Sequence, residues 1–420
     1  MTPEIKQRIE QIRRGEVPER YVKTALGLAP ANWKRYTFGD IYTERKEPGD
    51  ENLPLLMVSI HSGVSDGEVD AAELPKQVKR IEDKSQYKKA VSGDLVFNMM
   101  RAWQGAIGAV RTTGMVSPAY IVAEPNDKAY PLFMDYYSRT PQMINQIDRQ
   151  SYGVTDFRKR LYWDSFAPIS CTLPPIEEQQ KIAAILTTQD KVIELKEKRL
   201  AEKQRQKKYL MQQLLTGKKR LPGFNGTWEK EKLGKCASMC SGGTPDTKNE
   251  KYYGNDYIWI SIKDMTSAGK YICSSERGLT EAGLLNCSAR LFPKGTILFA
   301  MYASIGECSI AETECCSSQA ILGIEPDSKL NNEFLYYLLS NSKGYFKSFG
   351  QASSQPNLNK GIVQSIVVQI PEIEEQAAIA EVLSTADREI ELLQQDIEQE
   401  KRKKKALMQL LLTGIVRVKT

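Results

Sequence analysis

An internal repeat is the feature that most constrains the fold of this chain. Residues 176–217 and 373–414 align without a gap at an offset of 197 residues, and about half of the aligned positions are identical. Both copies begin with Ile-Glu-Glu-Gln and end with Leu-Leu-Thr-Gly. Because self-similarity of this length does not arise by chance, the chain is built from two related halves that contribute the same long segment.

Both copies of the repeat are predicted to be helices. Each follows a proline, Pro175 or Pro371, and each has acidic residues early and lysines late, as the helix dipole favours. Gly217 and Gly414 stand where a C-terminal glycine ends a helix. A helix of roughly 40 residues spans about 60 Å.

Each predicted helix has an apolar stripe with a seven-residue step. The stripe positions are Leu186, Ile193, Leu200, Lys207 and Leu214 in the first copy, and Leu383, Ile390, Ile397, Lys404 and Leu411 in the second. Because such a stripe is unstable in water, it requires a partner. We expect the two helices to form an antiparallel pair; the alternative is that each helix lies separately on its own domain.

The segments between the helices resemble one another more distantly. Gly93-Asp-Leu-Val-Phe corresponds to Gly295-Thr-Ile-Leu-Phe, and Ile107-Gly108 corresponds to Ile305-Gly306. Apolar runs of strand length recur in both segments, and helical patterns follow them. We therefore predict an α+β protein with a pseudo-twofold internal repeat, in which two α/β domains are joined by two long antiparallel coiled-coil helices.

Domain boundaries follow from the repeat. The predicted parts are a first domain at 1–175 with an N-terminal helix at 1–15, a central helix at 176–217, a second domain at 218–370 and a C-terminal helix at 371–420. The net charge is +6, and its excess lies on residues 176–221, which carry 12 basic and 6 acidic groups. Charge alone therefore does not indicate nucleic-acid binding by the domains.

Composition restricts the compartment and the chemistry. No run of about eighteen apolar residues occurs, and the N-terminus lacks the apolar core of a signal peptide, so we expect a cytoplasmic protein. The eight cysteines form no Cys-x-x-Cys pair, and His61 is the only histidine. We expect reduced thiols and no metal site.

The motifs of a self-sufficient enzyme are missing from the sequence. The only Pro-Pro, Pro174-Pro175, follows Leu173 and does not form the Asn/Asp-Pro-Pro-aromatic turn of an adenine methyltransferase. Pro245-Asp246 has no convincing (Asp/Glu)-x-Lys partner of a nuclease, and no P-loop or glycine-rich cofactor loop occurs. We predict a non-catalytic protein with no catalytic residues.

The order of variable domain, repeat, variable domain and repeat resembles the specificity subunits of type I restriction–modification enzymes. The second domain matches the pattern of that family most closely, at Leu233-Gly234, Gly242-Gly243-Thr244-Pro245, Ile258-Trp259-Ile260-Ser261-Ile262-Lys263-Asp264, Phe292-Pro293-Lys294-Gly295 and Ala303-Ser304-Ile305-Gly306. The first domain departs more, because it lacks the Gly-Gly-Thr-Pro stretch and reads Val58-Ser-Ile-His-Ser where the second has Ile260-Ser-Ile-Lys-Asp.

The resemblance implies a function in phage defence. Each domain is a target-recognition domain that reads one half of a bipartite double-stranded DNA site, and the helix pair fixes the spacer. Two methyltransferase subunits dock on the helical regions, and two translocase–nuclease subunits join them in a complete restriction system. S-adenosylmethionine, ATP and magnesium belong to these partner subunits, with no cofactor in this chain. One alternative is a DNA-targeting subunit of a methyltransferase-only defence system; another is a coiled-coil scaffold that binds only proteins.

Candidate DNA-binding residues are polar and basic groups whose surrounding loops we expect to face DNA. In the first domain they are Ser59, His61, Arg101, Tyr152, Arg158 and Lys159; in the second they are Lys263, Tyr302, Ser304, Gln319, Ser354, Gln355, Asn359 and Lys360. Arg101 follows an apolar strand, where a loop can present it to a guanine edge. The alternative for any one of these residues is an ordinary solvated or structural role.

Candidate partner-binding residues lie at the start of both repeats. They are Ile176, Glu177, Gln179, Ile182, Glu374, Gln376 and Ile379. Their duplication is consistent with two identical partner subunits. The alternative is helix capping and core packing.

Overall fold

The computed structural model describes residues 3–24, 27–50, 52–60, 63–65, 86–153, 155, 159–346 and 358–418. The chain forms two compact units, each with helices and strands. Unit 1 comprises Met1–Lys196 and Asp396–Thr420, and unit 2 comprises Glu197–Gln395. The mixed α+β class is therefore as the sequence predicts.

Unit 1 contains the elements of the N-terminal half of the chain. Its helices are α1 (Pro3–Arg13), α2 (Phe38–Ile41), α3 (Pro131–Tyr137), α4 (Pro141–Arg149), α5 (Trp163–Phe166), the first part of α6 (Ile176–Leu214) and the last part of the C-terminal helix α12 (Ile373–Leu411), with a 3-10 turn at Ala102–Gln104. Its strands are β1 (Tyr21–Thr24), β2 (Gly27–Pro30), β3 (Lys34–Thr37), β4 (Tyr42–Arg45), β5 (Val58–Ser59), β6 (Gly63–Val64), β7 (Lys88–Ala90), β8 (Leu95–Asn98), β9 (Ile107–Ala109), β10 (Gly114–Val116), β11 (Tyr120–Pro125) and β12 (Ser170–Leu173).

Unit 2 contains most of the remaining elements. Its helices are the last part of α6, α7 (Leu233–Cys236), α8 (Ile262–Ala268), α9 (Glu281–Leu285), α10 (Asn332–Asn341), α11 (Lys360–Ser365) and most of α12 (Ile373–Leu411), with a 3-10 turn at Glu250–Tyr252. Its strands are β13 (Glu229–Lys232), β14 (Ala237–Ser241), β15 (Tyr253–Gly254), β16 (Tyr257–Ile260), β17 (Tyr271–Ile272), β18 (Gly278–Leu279), β19 (Ile297–Ala300), β20 (Cys308–Ala311), β21 (Cys316–Ser317), β22 (Ile321–Pro326) and β23 (Val367–Ile370).

The main sheets of the two units share their strand order. Unit 1 has the order β4-β11-β8-β9, and unit 2 has β14-β22-β19-β20 with β17 added in parallel at the edge. Every residue of β8 and β19 is buried. Alternate side chains of β8 enter two separate hydrophobic clusters, and β19 does the same. Since both faces of these strands are covered, their sequences are continuously apolar rather than alternating, apart from Asn98 at the end of β8.

Each long helix begins inside a domain core. Ile182 and Leu186 of α6 are fully buried in the main cluster of unit 1, which also holds Leu411 of α12. Ile379 and Leu383 of α12 hold the same positions in unit 2. The expectation that Ile182 and Ile379 face a partner subunit is therefore wrong, because both side chains pack within the chain.

Within each unit the two long helices run antiparallel. In unit 1, Gln189 donates a hydrogen bond of 2.6 Å to Glu400, and Lys196 lies 2.8 Å from Asp396. In unit 2, Lys203 lies 2.6 Å from the Glu389 carboxylate. Residue numbers rise along one helix as they fall along the other, as an antiparallel pair requires.

The lysines that interrupt the apolar stripes also have partners. Lys404 pairs with Asp190 at 2.5 Å in unit 1, and Lys207 pairs with Asp387 in unit 2. Lys196, Lys203 and Lys207 of the central segment thus all pair with carboxylates of the C-terminal long helix. Part of the basic excess of the central segment therefore serves to join the two helices.

A buried carboxylate lies in the first turn of each long helix. Glu178 accepts two hydrogen bonds from Arg417, at 2.6 and 2.7 Å, and a third from the Trp33 indole at 3.3 Å. Glu375 accepts two from Arg220, both at 2.6 Å, and one from Trp228 at 3.1 Å. We call each set a carboxylate anchor. Each bidentate anchor joins the start of one long helix to the segment that follows the other.

The glutamines next to the anchors are also buried. The Gln179 side chain accepts a hydrogen bond from the Tyr130 amide and donates to the carbonyls of Lys128 and Pro174. Gln376 makes the equivalent bonds in unit 2, with Asn331, Lys329 and Pro371. Gln179 and Gln376 therefore fasten the helix start to its own domain and do not form a partner surface, which corrects the expectation from sequence.

Removing the arginine of one anchor should destabilise unit 2. In Arg220→Met, Glu375 keeps the Trp228 bond but loses its charged partner while it remains 1% exposed. Breaking a buried pair on one side costs about 3 kcal/mol. Urea unfolding followed by circular dichroism measures this loss. Arg388→Met, at an exposed position of α12, is the control and should change the free energy of unfolding little; equal effects of the two substitutions would contradict the role of the anchor.

Glu400 should make the pairing of the long helices sensitive to acid. Hydrogen bonds from Gln189 and Lys196 lower the pKa of Glu400 from 4.5 to about 2. A lowered folded-state pKa means that ionised Glu400 stabilises the fold above its ordinary pKa and loses this contribution as the pH falls toward 2. The difference in unfolding free energy between wild type and Glu400→Gln should therefore shrink from pH 6 to pH 3. Exposed Glu398, substituted by Gln, should show little difference at either pH.

Candidate nucleic-acid interface

In unit 1, three segments meet where the buried strand β8 ends. The Met99 amide donates to the Ala119 carbonyl at 3.0 Å, and the Leu161 amide donates to the Met99 carbonyl at 2.9 Å. Residues 99–104, 117–120 and 159–162 are thereby held side by side. We call this group of loops the strand-end cluster of unit 1.

Unit 2 has an equivalent strand-end cluster at the end of β19. The Met301 amide donates to the Ala320 carbonyl at 2.9 Å, and the Leu358 amide donates to the Met301 carbonyl at 3.1 Å. Residues 301–304, 318–320 and 358–360 form this cluster. The two backbone links are the same as in unit 1, whereas the side chains differ.

The strand-end cluster of unit 1 contains several of the predicted DNA-binding residues. Arg101 is exposed just before the 3-10 turn and has no ion-pair partner among the described residues. Lys159 lies 2.7 Å from Asp148 and 5.1 Å from the centre of the Trp103 ring. Tyr152 is 62% exposed, and its backbone pairs with Arg160. Arg101 thus offers the most available positive charge of this cluster.

Ser59 lies in a small hairpin beside the same cluster. It pairs with Gly63, and the carbonyl of the following Ile60 lies 3.4 Å from where a Cβ on Gly105 would stand. The end of strand β5 therefore borders the turn after Arg101. His61 and Arg158, also predicted, lie outside the described residues.

In unit 2 the structure brings together most of the described candidates. Tyr302, Ser304, Gln319 and Lys360 belong to the strand-end cluster, where Gln319 and Lys360 are exposed and Tyr302 and Ser304 are partly buried. The cap of α11 occupies the Asn359 side chain, which accepts a hydrogen bond from the Ile362 amide at 2.9 Å. Ser354 and Gln355 lie outside the described residues.

Lys263 borders the cluster but already has a partner. The Ser318 amide donates to the Ile260 carbonyl at 3.0 Å, which brings the start of α8 beside the cluster. The ammonium of Lys263 pairs with Glu276 at 2.5 Å, and this pair raises the pKa of Lys263. Any contact of Lys263 with DNA must compete with that carboxylate.

The Gly242-Gly243 loop also contributes to the candidate site. This loop was not among the candidate DNA-binding residues predicted from the sequence. A Cβ on Gly242 would stand 2.2 Å from the Ser317 carbonyl oxygen, and one on Gly243 would stand 2.2 Å from the Ala289 amide nitrogen. The Trp259 indole donates to the Gly243 carbonyl at 2.9 Å. Only glycine allows the backbones to approach this closely, so the loop holds 288–289 against the cluster.

In each unit a tyrosine joins the domain to a long helix. These tyrosine contacts were not predicted from the sequence. Tyr136 donates a hydrogen bond of 2.6 Å to Asp190, the partner of Lys404. In unit 2, Tyr337 donates to Asp387 at 2.6 Å. Burial and the neighbouring carboxylate raise the pKa of both tyrosines, so they stay protonated donors. Asp190 and Asp387 occupy the same position in the two copies of the repeat. This identity in the sequence could have identified the two aspartates as candidates for a shared role.

Three predicted partner-binding residues remain on the surface. Ile176, Glu177 and Glu374 are exposed at the starts of α6 and α12. In the described part of the chain, no group of three or more His, Cys, Asp or Glu residues is arranged to hold a metal ion. No helix in the described ranges is long and apolar enough to cross a membrane.

Comparison with known protein families shows to which family this chain is related. A family model described as type I restriction modification DNA specificity domain matches residues 76–204 and 225–401. The chain belongs to this family. Its two matched regions give it the organisation of a specificity subunit of a type I restriction–modification system.

Individual relatives agree with the family. The chain is 36% identical over 167 residues to the type I restriction enzyme MjaIX specificity subunit of Methanocaldococcus jannaschii, an alignment that covers 39% of each protein. It is 25% identical over 441 aligned positions to the putative MjaX specificity subunit of the same organism, covering 96% of this chain and 98% of that protein.

Solved structures share the fold. The HsdS subunit from Thermoanaerobacter tengcongensis has a TM-score of 0.52 at 19% identity, with 92% of this chain and 98% of that one covered. The S subunit from M. genitalium has a TM-score of 0.57 at 12% identity, with 93% and 97% covered. These similarities extend over nearly the whole chain.

Substituting Gly243 should disturb the cluster of unit 2. In Gly243→Ala the new methyl group overlaps the Ala289 backbone, so residues 288–289 must move away. We expect faster hydrogen–deuterium exchange in peptides covering 286–292 and 317–320. Gly344→Ala, where nothing lies within 4 Å of the added methyl group, serves as the control. Unchanged exchange in Gly243→Ala would show that the close approach is dispensable.

Proposed function

We propose that each unit reads one half of a bipartite DNA target through its strand-end cluster. The observation that carries this proposal is the pair of equivalent backbone links at Met99 and Met301, which hold different side chains in one frame. Two similar frames with different polar surfaces suit two different base sequences. Arginine, glutamine and serine side chains in the loops provide the donors and acceptors that base edges require.

The long helices are proposed to separate the two reading surfaces and to bind the partners. Their ion pairs and carboxylate anchors fix each helix to a domain core, so the length of the helices sets the spacer between half-sites. Two methyltransferase subunits, one on each helix start, are the proposed partners. The duplicated exposed residues Ile176 and Glu177, with Ile373 and Glu374, support this because they present the same surface twice.

The chemistry is proposed to belong to the partner subunits. S-adenosylmethionine and the adenine-flipping site come with the methyltransferase, and ATP and magnesium come with two translocase–nuclease subunits. This chain positions these subunits on DNA as a non-catalytic, cytoplasmic component. The near-neutral charge of its domains fits a reader whose partners supply further phosphate contacts.

Methylome sequencing tests the proposal directly. Cells that express this chain with its methyltransferase should contain a bipartite methyladenine motif, and cells that lack the chain should not. Replacing residues 222–370 by the corresponding domain of another specificity subunit should change one half of the motif only, because the other half is read by unit 1.

The same experiment has a clear opposing result. Methylation that is unchanged when the chain is deleted would contradict the proposed function and favour a scaffold that binds only proteins. Arg101→Ala provides a finer control. Because Arg101 lies in unit 1, this substitution should alter only the half-site read by unit 1, which the replacement of residues 222–370 leaves unchanged.

A further inference from the structure

Two basic residues occupy equivalent positions in the two units. In unit 1, Ala90 pairs with Gly114, and in unit 2, Phe292 pairs with Cys315. Both pairs are antiparallel. Ala90 and Phe292 each stand three residues before the corresponding glycines Gly93 and Gly295. Gly114 and Cys315 each stand three residues before a serine that begins a similar stretch, Ser117-Pro-Ala and Ser318-Gln-Ala. Lys88 and Arg290 therefore correspond, because each lies two residues before its paired residue.

The two residues have opposite environments. Lys88 is half-buried, and its ammonium donates a hydrogen bond of 2.8 Å to the Tyr120 carbonyl at the start of β11. Burial lowers the pKa of Lys88. Arg290 is exposed; its guanidinium lies 3.6 Å from the Cys240 sulfur and has no carboxylate partner among the described residues.

The contacts of both residues lie at the strand-end clusters. Tyr120, which receives Lys88, directly follows Ala119, one of the backbone links of the unit 1 cluster. In unit 2, residues 288–289 press against Gly243, whose amide donates to the Ser317 carbonyl at 2.9 Å. Arg290 therefore stands beside the cluster that contains Gln319.

We propose that Arg290 reads a base, preferentially guanine, in the half-site contacted by unit 2. This inference rests on the proposed function and adds a specificity-determining residue to it. An exposed guanidinium can donate two parallel hydrogen bonds to the O6 and N7 atoms of guanine, which no other base accepts in that geometry. Lys263, which also borders this cluster, is held by Glu276. Lys360 in the cluster is exposed, but its single ammonium lacks the paired donors of a guanidinium, so Arg290 is the better placed reader of guanine.

The difference from unit 1 strengthens the inference. At the same frame position, the half-buried Lys88 has its ammonium bound to a backbone carbonyl. In unit 1 this position of the shared backbone frame is occupied by a lysine with a structural role, whereas in unit 2 it is occupied by an exposed arginine. A difference of this kind gives the two related frames different groups to offer to a base edge.

The test compares the methylomes of cells expressing the methyltransferase with wild type, Arg290→Ala, Arg290→Lys or Lys294→Ala. In Arg290→Ala, one position in one half-site should become degenerate, and sites with a substituted base should gain about tenfold or more in relative methylation. Arg290→Lys should discriminate less than wild type, because a single ammonium lacks the paired donors of a guanidinium. Lys294 is exposed before β19 begins, at the other end of the strand from the cluster, and Lys294→Ala should retain the wild-type motif.

Three results would overturn the inference. They are an unchanged motif in Arg290→Ala, a uniform fall of methylation with every motif position retained, and a loss of methylation that Arg290→Lys does not relieve. The uniform fall would identify a phosphate contact instead. A wild-type strain without any bipartite motif would overturn the proposed function itself, and the role of Arg290 with it.

Discussion

The structure depends on how each long helix begins. A carboxylate in its first turn is buried, and burial of a charge is tolerated only when its partners are supplied. Glu178 obtains them from Arg417 and Trp33, and Glu375 obtains them from Arg220 and Trp228. Because each arginine follows the end of the other long helix, a domain core is complete only when both helices contribute to it.

This arrangement explains why the repeat sequence is so similar while the domains are not. The buried polar residues of the helix starts, Glu178 and Gln179 with Glu375 and Gln376, each make three side-chain hydrogen bonds that fix them in the cores. The strand-end clusters are held through backbone bonds instead. Their side chains, and those of neighbouring residues such as Lys88 and Arg290, can differ without disturbing the frame.

Sequence patterns predicted much of the fold for physical reasons. The apolar runs at β8 and β19 are buried on both faces, and the seven-residue stripe lies where the helices pair. Patterns were less informative about polar side chains. Gln179 and Gln376 were expected to face a partner subunit, yet their side chains are buried. The prediction failed because repetition in the sequence shows that a residue matters without showing whether its role is structural or functional.

The sequence by itself determined the two-part organisation, the long paired helices and the family, since periodicity and repetition are properties of the chain. Only the tertiary structure decided which polar groups are available at the candidate site. Lys263 and Asn359 are engaged by neighbours, whereas Arg101 and Arg290 are exposed. The physical reason is that the exposure of a side chain depends on segments distant in sequence, such as 288–289 against Gly243, whose approach no local pattern records.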